Sequence, residues 1–392
     1  MNGSDKASVF VYGYYGLGNL GDDLLLGAIV DQLTKREFAD KYFIRNLGVV
    51  NGLIKNERII FTNLEHKLFF YGGATILRKA IIFYIYMREH IKLFGRCHSF
   101  ILGGGTLLSN RMSLKSLFIL TMLVLTAKLQ GAKVMALGLG VTNIKGILRR
   151  FLVRYILRAA SKVCIRDYSS LQACRELTAD TSFTLTADLV FSSNITKNFS
   201  SKKRITASSP PLTIGITLVE PFLRDNIEGV NEHEVLDVTA AAIKYCLNKG
   251  YIVKLIGFQR LTINEVDSFS DMDIFERLVV DHNIVGAELI DVSHSIEYLP
   301  ALYDELHMVV GMRFHSLVLS ALSNISFVGI SCDHKISCLC ESFGMPCIDV
   351  SDISSNRLIE SIESARKIKI DQTVLQSFQT NSNLNFSWPN GK

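Results

Sequence analysis

Between Glu89 and Asp167 the sequence contains no acidic residue, although Asp and Glu number 37 in the 392 residues as a whole. The same stretch carries Lys92, Arg96, Arg111, Lys115, Lys128, Lys133, Lys145, Arg149, Arg150, Arg154, Arg158, Lys162 and Arg166, so the mild net charge of +5 conceals one strongly basic region. No aromatic stacking motif accompanies this charge, which argues against a nucleic-acid partner. Arg150, Arg154 and Arg158 recur every four residues, along one helix face, with Ile147, Phe151, Ile156 and Leu157 as apolar neighbours. That pattern is expected of a solvated helix face or of a basic amphipathic helix lying on an anionic membrane surface.

Other absences narrow the class further. The apolar run 117–127, bounded by Lys115 and Lys128, falls well short of the roughly 20 residues a membrane span needs and predicts a buried core helix. The eight cysteines include no CxxC pair, and Cys332, His334, Cys338 and Cys340 fit no usual zinc spacing, so no metal is expected. With these thiols free and no export signal opening the chain, the expected compartment is the cytoplasm. No short-period repeat is present. Hydrophobic residues make up 48% and charged residues 20%, which excludes a disordered chain and suits large cores.

What is present is alternation. Apolar runs at 8–12, 99–102, 133–137 and 162–165 end in glycine or polar residues, with helical patterns between them, as in βαβ units around a parallel sheet. Residues 192–211 are rich in Ser, Thr, Asn and Lys and end in Pro210-Pro211, a linker composition. Runs at 212–218, 251–257, 289–292, 308–311 and 327–331 then resume the alternation, with a helix over 235–249. The expected fold is α/β, with two Rossmann-like, doubly wound domains facing a cleft. Residues 1–195 form the first, 196–211 the linker, 212–370 the second and 371–392 a polar tail, disordered in part or laid across the surface.

Four motifs sit at expected strand ends, where open α/β sheets bind ligands. The first is the glycine-rich stretch holding Gly18, Asn19, Gly21, Asp22 and Asp23. Gly16-Leu17-Gly18-Asn19-Leu20-Gly21 fits a dinucleotide fingerprint in spacing only. No acidic residue follows at a clear strand end, and the two aspartates would repel a phosphate. A neutral, hydroxyl-rich acceptor or a capped tight turn fits better. The second is Gly103-Gly104-Gly105-Thr106, read as a ligand-facing turn or a packing turn. In the third, Arg166-Asp167, the arginine can grip a phosphate or carboxylate, or pair with Asp167 or Asp188. The fourth, Gly311-Met312-Arg313-Phe314-His315, is followed by Lys335. An Arg and a Lys at neighbouring crevice positions make an anion site. His315 beside them has a side chain suited to proton transfer near neutral pH.

In this order along the chain, the motifs resemble the polysaccharide pyruvyltransferase family. The resemblance covers most of the sequence and rests on Gly18, Asn19, Gly21 and Asp22, the triple glycine, Arg166-Asp167, Asp188, the block from Gly311 to His315, and Asp333-x-Lys335. One departure is Asp23, where the family often has Glu. The resemblance implies a fold like that of GT-B glycosyltransferases and transfer of a pyruvyl group from phosphoenolpyruvate to a sugar as a cyclic ketal. By resemblance, Arg313 and Lys335 hold the donor, Arg166 reaches it from the other domain, and His315 is the acid/base. Asp22, Asp23, Gly104, Gly105 and Thr106 then line the acceptor side with the first glycine loop. Phosphoenolpyruvate is a co-substrate, and no cofactor is expected. A sugar or lipid-linked oligosaccharide is the expected acceptor. The alternatives are a GT-B glycosyltransferase with a nucleotide-sugar donor, for which Glu297 is the tempting ribose ligand, and a non-catalytic sugar-binding protein.

Overall fold

A computed structural model describes residues 8–45, 47–48, 57–62, 76–193, 211–219, 232–263 and 266–387. The chain divides into two compact units. The first comprises Met1–Leu17, Asp22–Ser193 and Phe378–Lys392, and the second comprises Gly18–Gly21 and Asn194–Ser377. The expected linker, 196–211, lies outside the described residues except at Pro211.

In the first unit, β1 (Ser8–Tyr12), β2 (Lys41–Arg45), β3 (Ile59–Thr62), β4 (Cys97–Leu108), β5 (Lys133–Val141), β6 (Lys162–Ile165) and β7 (Thr184–Leu185) form one sheet in the order β3-β2-β1-β4-β5-β6-β7. Every pairing is parallel. Its helices are α1 (Leu20–Lys35), α2 (Ile76–Phe94), α3 (Leu114–Leu129), α4 (Ile147–Ala159) and α5 (Tyr168–Leu177). Phe10, Phe100 and Val134 on one sheet face share a core with Phe94 of α2, Leu120 of α3, Val153 of α4 and Leu171 of α5. Val9, Val11, Ile101 and Met135 on the opposite face are equally buried. Burial on both faces explains why these strands read as unbroken apolar runs. The run at 117–127 is the middle of α3, with Leu117, Leu120, Leu123 and Val124 in that core.

In the second unit, β8 (Thr213–Thr217), β9 (Ile252–Gly257), β12 (Ala287–Asp291), β13 (Met308–Gly311), β14 (Ser326–Ser331) and β15 (Cys347–Asp349) form a second parallel sheet in the order β12-β9-β8-β13-β14-β15. An antiparallel hairpin, β10 (Arg260–Ile263) with β11 (Val266–Ser270), leaves the end of β9. The helices are α6 (Glu232–Asn248), α7 (Asp271–Asp281), α8 (Leu299–Glu305), α9 (Phe314–Leu322), α10 (His334–Phe343) and α11 (Ser355–Ala365), while α12 (Gln372–Asn383) begins in this unit and ends in the first. Connections from β8 run one way across the sheet and those from β13 the other, so the order reverses between these two strands.

Two expectations change. The strands ending at 102 and 137 continue, β4 through its three glycines to Leu108 and β5 through Gly138 and Gly140 to Val141. Gly104, Gly105 and Gly138 take φ of +69°, +72° and +55°, so the glycines bulge the strands rather than end them. The polar tail is also ordered as far as it is described. It contains α12 and a short 3-10 turn, and Ser382, Asn385 and Phe386 are buried in the first unit.

Asn385 accounts for that burial. Its Oδ1 accepts from the Gly138 N–H (2.7 Å) and the Thr186 hydroxyl (3.3 Å), and its Nδ2 donates to the carbonyls of Ser382 (2.9 Å) and Ala187 (3.3 Å). Lys162 Nζ adds bonds to the carbonyls of Leu384, Asn385 and Ser387. Asn385→Ala leaves a buried N–H and a buried carbonyl unsatisfied, and is expected to cost about 3 kcal/mol in urea-induced unfolding.

Candidate active site

The fourth motif is assembled where the second sheet reverses. A side chain at Gly311 would meet Ser316 Oγ at 2.7 Å and Thr217 Oγ1 at 2.9 Å, so the strand exit can only be glycine. The Ser316 hydroxyl donates to the Arg313 carbonyl at 2.7 Å. Its single proton is thereby used, so Thr217 is the donor in their 2.8 Å contact. Tyr303 and Ser320 both donate to the Ser316 carbonyl. These bonds fix the first turn of α9, which carries His315.

Arg313 is buried, and its guanidinium forms a two-pronged pair with Asp271: Nε to Oδ2 at 3.0 Å and Nη2 to Oδ1. Asp271 is 0% exposed. Its Oδ2 also accepts from the backbone N–H groups of Phe258 (2.9 Å) and Gln259 (3.0 Å). The sequence reading gave Arg313 to a ligand anion; the structure places two of its three nitrogens on a carboxylate and leaves Nη1 outside the pair. Asp271 escaped sequence reasoning because, behind Ser270 and with Asp273, it looks like an acid in an ordinary capping box.

The first glycine loop divides between the units. Gly18, Asn19 and Gly21 group with the second, where the Gly18 carbonyl accepts from the Arg260 N–H (2.8 Å) and the Leu20 N–H donates to the Phe258 carbonyl (3.0 Å). Gly18 has φ +70°, and a Cβ there would collide with the Arg260 carbonyl. The Asn19 side chain accepts from the Gly21 N–H at 3.1 Å. The His315 ring rests on Gly21 so closely that a Cβ would strike its Nδ1. The loop is therefore a backbone clamp around the His315 site. His294, just after β12, touches the same loop, its Cε1 3.3 Å from the position of a Gly18 Cβ. Its Nδ1 is buried with no hydrogen-bond partner among the described residues. No sequence signal marked His294.

Lys335 begins α10 beside this site. Its Nζ lies 5.9 Å from the Phe314 ring centroid and pairs with Asp333 at 3.0 Å. Phe314 in turn packs edge-on to His315. Glu297 is exposed on the short 3-10 turn after His294.

In the first unit, Arg166 sits in a buried web. Nε pairs with Asp167 (3.0 Å), Nη1 lies 3.9 Å from Asp188, and Nη2 donates to Thr106 Oγ1 (3.5 Å). Burial opposes ionisation of Asp167. The Arg166 charge and hydrogen bonds from Ser169 and Ser170 outweigh it and bring its pKa down to about 2. Of the glycines assigned to the acceptor, Gly104 would meet Leu25 and Leu189 if it carried a Cβ, which is a close-packing role. Gly105 would approach Asp22 Oδ1 at 3.5 Å. Asp23 folds back to accept from the Gly16 N–H at 2.9 Å. Burial pushes its pKa up to about 7, the Gly16 bond opposes that, and the neighbouring Asp22 adds to it. Among the described residues no three His, Cys, Asp or Glu side chains converge as metal ligands.

Two units, each a parallel sheet wound with helices, make this a two-domain α/β fold of GT-B type. The structure of UDP-GlcNAc 2-epimerase from Neisseria meningitidis, bound to UDP-GlcNAc, is similar at TM-score 0.59 and 11% identity over 96% of this chain and 98% of that one. That of UDP-GlcNAc 2-epimerase from Methanocaldococcus jannaschii is similar at TM-score 0.59 and 9% identity over 96% and 97%. These likenesses concern the fold alone. No curated protein matches the sequence. The model of the polysaccharide pyruvyl transferase family matches residues 19–334, from the glycine clamp to one residue before Lys335, and the chain belongs to that family. Membership makes it a transferase of polysaccharide assembly.

Two outcomes are expected. Asp271→Ala leaves the Arg313 charge buried and unpaired, and should lower unfolding stability by about 3–5 kcal/mol, whereas Asp271→Leu with Arg313→Met should recover most of that loss. Asp23 has a folded pKa above its ordinary 3.8, so its contribution to stability is complete below pH about 4 and is lost as pH rises toward about 7. Asp23→Asn keeps the acceptor for Gly16 and removes this loss. Its melting temperature relative to the parent should climb between pH 4 and 7 and level off above.

Proposed function

We propose that the protein transfers the pyruvyl group of phosphoenolpyruvate to a sugar of a surface-polysaccharide precursor, forming a pyruvate ketal. The observation that carries the reading is the grouping of His315, Arg313 and Lys335 at the reversal point of the second sheet, within a chain of the pyruvyl transferase family. The donor carries up to three negative charges and needs cations. Lys335 and Arg313 Nη1 are assigned to its phosphate and carboxylate, and Arg166 follows as a third basic position on the family pattern.

In the first step a sugar hydroxyl oxygen bonds to C2 of the donor while a proton reaches C3, converting the methylene to a methyl group. In the second step another hydroxyl oxygen bonds to C2, the bond from C2 to the phosphate oxygen breaks, and inorganic phosphate departs with the electron pair. His315 is assigned to moving the protons, as acid, base or both. Lys335 compensates charge on the leaving phosphate. Asp22 and Asp23 are assigned to acceptor hydroxyls. The acceptor is a lipid-linked sugar, and the enzyme works at the cytoplasmic face of the membrane that carries it.

Incubation with phosphoenolpyruvate and a panel of nucleotide-linked and lipid-linked sugars, followed by phosphate detection, tests this reading. Release that requires an acceptor and falls by about 100-fold or more in His315→Ala is expected. Thermal stabilisation by UDP or GDP, with no response to phosphoenolpyruvate, overturns it in favour of a nucleotide-sugar donor.

A further inference from the structure

A helix begins with a positive dipole end, so Asp and Glu are favoured in its first turn and Lys and Arg are disfavoured. Helices α1, α6 and α7 obey this, with Asp22 and Asp23, Glu232 and Glu234, and Asp271 and Asp273 in their first turns. Helices α2, α3 and α4 do not. None has an acid there, and their first turns carry Arg78 and Lys79, Lys115, and Arg149 and Arg150. All three follow strands of the first sheet in parallel crossovers, so their first turns lie along its carboxyl edge. Positive charge is concentrated where the helices themselves are already positive.

Part of that charge is used inside the unit. Arg150 and Arg154 donate to the carbonyls of Glu176 and Leu177 at the end of α5, and Arg158 reaches Thr178 and Asp180. The arginine stripe expected to touch a membrane therefore closes the carboxyl end of α5. The surface that remains is different. Ile147 is 91% exposed and Phe151 62%, with Leu148 beside them, and Leu114 and Phe118 are exposed at the start of α3. Lys115 and Lys145 are exposed among them. The two helix starts form one surface. The Asn110 side chain donates to the Asn143 carbonyl (2.6 Å) and accepts from the Lys145 N–H (2.9 Å), and Arg149 Nη1 donates to the Met112 carbonyl. Leu77 and Tyr84 on α2 are exposed as well. Isolated exposed apolar residues are ordinary, but a contiguous set ringed by Lys and Arg and free of acids over 90–166 is the chemistry of a bilayer interface.

We propose that the starts of α3 and α4 dock on an anionic lipid bilayer, with Ile147, Leu148, Phe151, Leu114 and Phe118 at headgroup depth and Lys115 and Lys145 on the anionic headgroups. The proposal rests on the membrane attachment given above for the acceptor and is independent of the pyruvyl chemistry.

Flotation of the full chain with vesicles of phosphatidylcholine, alone or mixed with phosphatidylglycerol, tests it. Co-flotation with the anionic vesicles only, weakened by salt, is expected. Ile147→Ser with Phe151→Ser should lower binding about tenfold or more, as should Lys115→Gln with Lys145→Gln, both with unchanged melting temperature. Phosphate release from phosphoenolpyruvate with a water-soluble acceptor should be unaltered in both variants. Equal binding to neutral and anionic vesicles, or none to either, overturns the proposal. So does a concentration-dependent dimer in sedimentation that disappears in the Ile147→Ser, Phe151→Ser variant, because the surface then belongs to a second copy of the chain. Flotation without any phosphate release refutes the pyruvyl reading and leaves the docking surface standing.

Discussion

The buried pair between Arg313 and Asp271 is the interaction on which the second unit's site depends. A carboxylate with no solvent contact is tolerable only when its lone pairs are filled and its charge is matched. Asp271 meets both conditions with the arginine fork and two backbone N–H groups. Those N–H groups belong to Phe258 and Gln259, whose carbonyls are taken by Leu20 and by Asp271 itself. One carboxylate therefore sets the arginine after β13, the chain end after β9 and the glycine loop laid upon it, and His315 rests on that loop. Removing the pair disturbs three segments distant in sequence.

Much of the fold was legible. β1, β6 and β13 lie where apolar runs bounded by glycine or charge placed them, and α3 is the core helix its short run implied. What failed was local. Glycine after an apolar run signals a stop, yet in β4 and β5 it permits a bulge, because Leu25 and Leu189 need the space a Cβ would fill. The hairpin of β10 and β11 has too few residues for either periodicity to show. The C-terminal segment reads as polar because Leu375 and Phe378 stand among polar residues and the turn after the helix is held by four hydrogen bonds of Asn385. A single satisfied amide leaves no pattern in sequence.

The positions of the candidate residues were legible in the sequence, and the partners that hold them were not. Chemistry-bearing types at strand ends located Arg313, His315, Lys335 and Arg166. Their partners were invisible: Asp271 is 42 residues from Arg313, and nothing local distinguishes it from a helix-capping acid. The glycine loop was read as one motif. The fold separates Gly18, Asn19 and Gly21, which clamp His315, from Asp22 and Asp23, which face β4 and the Gly16 turn.

Charge balance then ranks the basic residues. Arg313 is matched by a fully buried carboxylate, and Arg166 is shared by Asp167 and Asp188, both largely buried. Withdrawing either arginine toward a ligand would strand a buried negative charge, which is costly. Lys335 differs. Its partner Asp333 is about one-third exposed, so water can take over the carboxylate when the ammonium turns away. Lys335 is also a flexible point charge rather than a fixed fork. Of the three it is therefore the cation that can leave its partner for another anion at least expense, while Arg313 and Arg166 each stay fixed to buried carboxylates of their own unit.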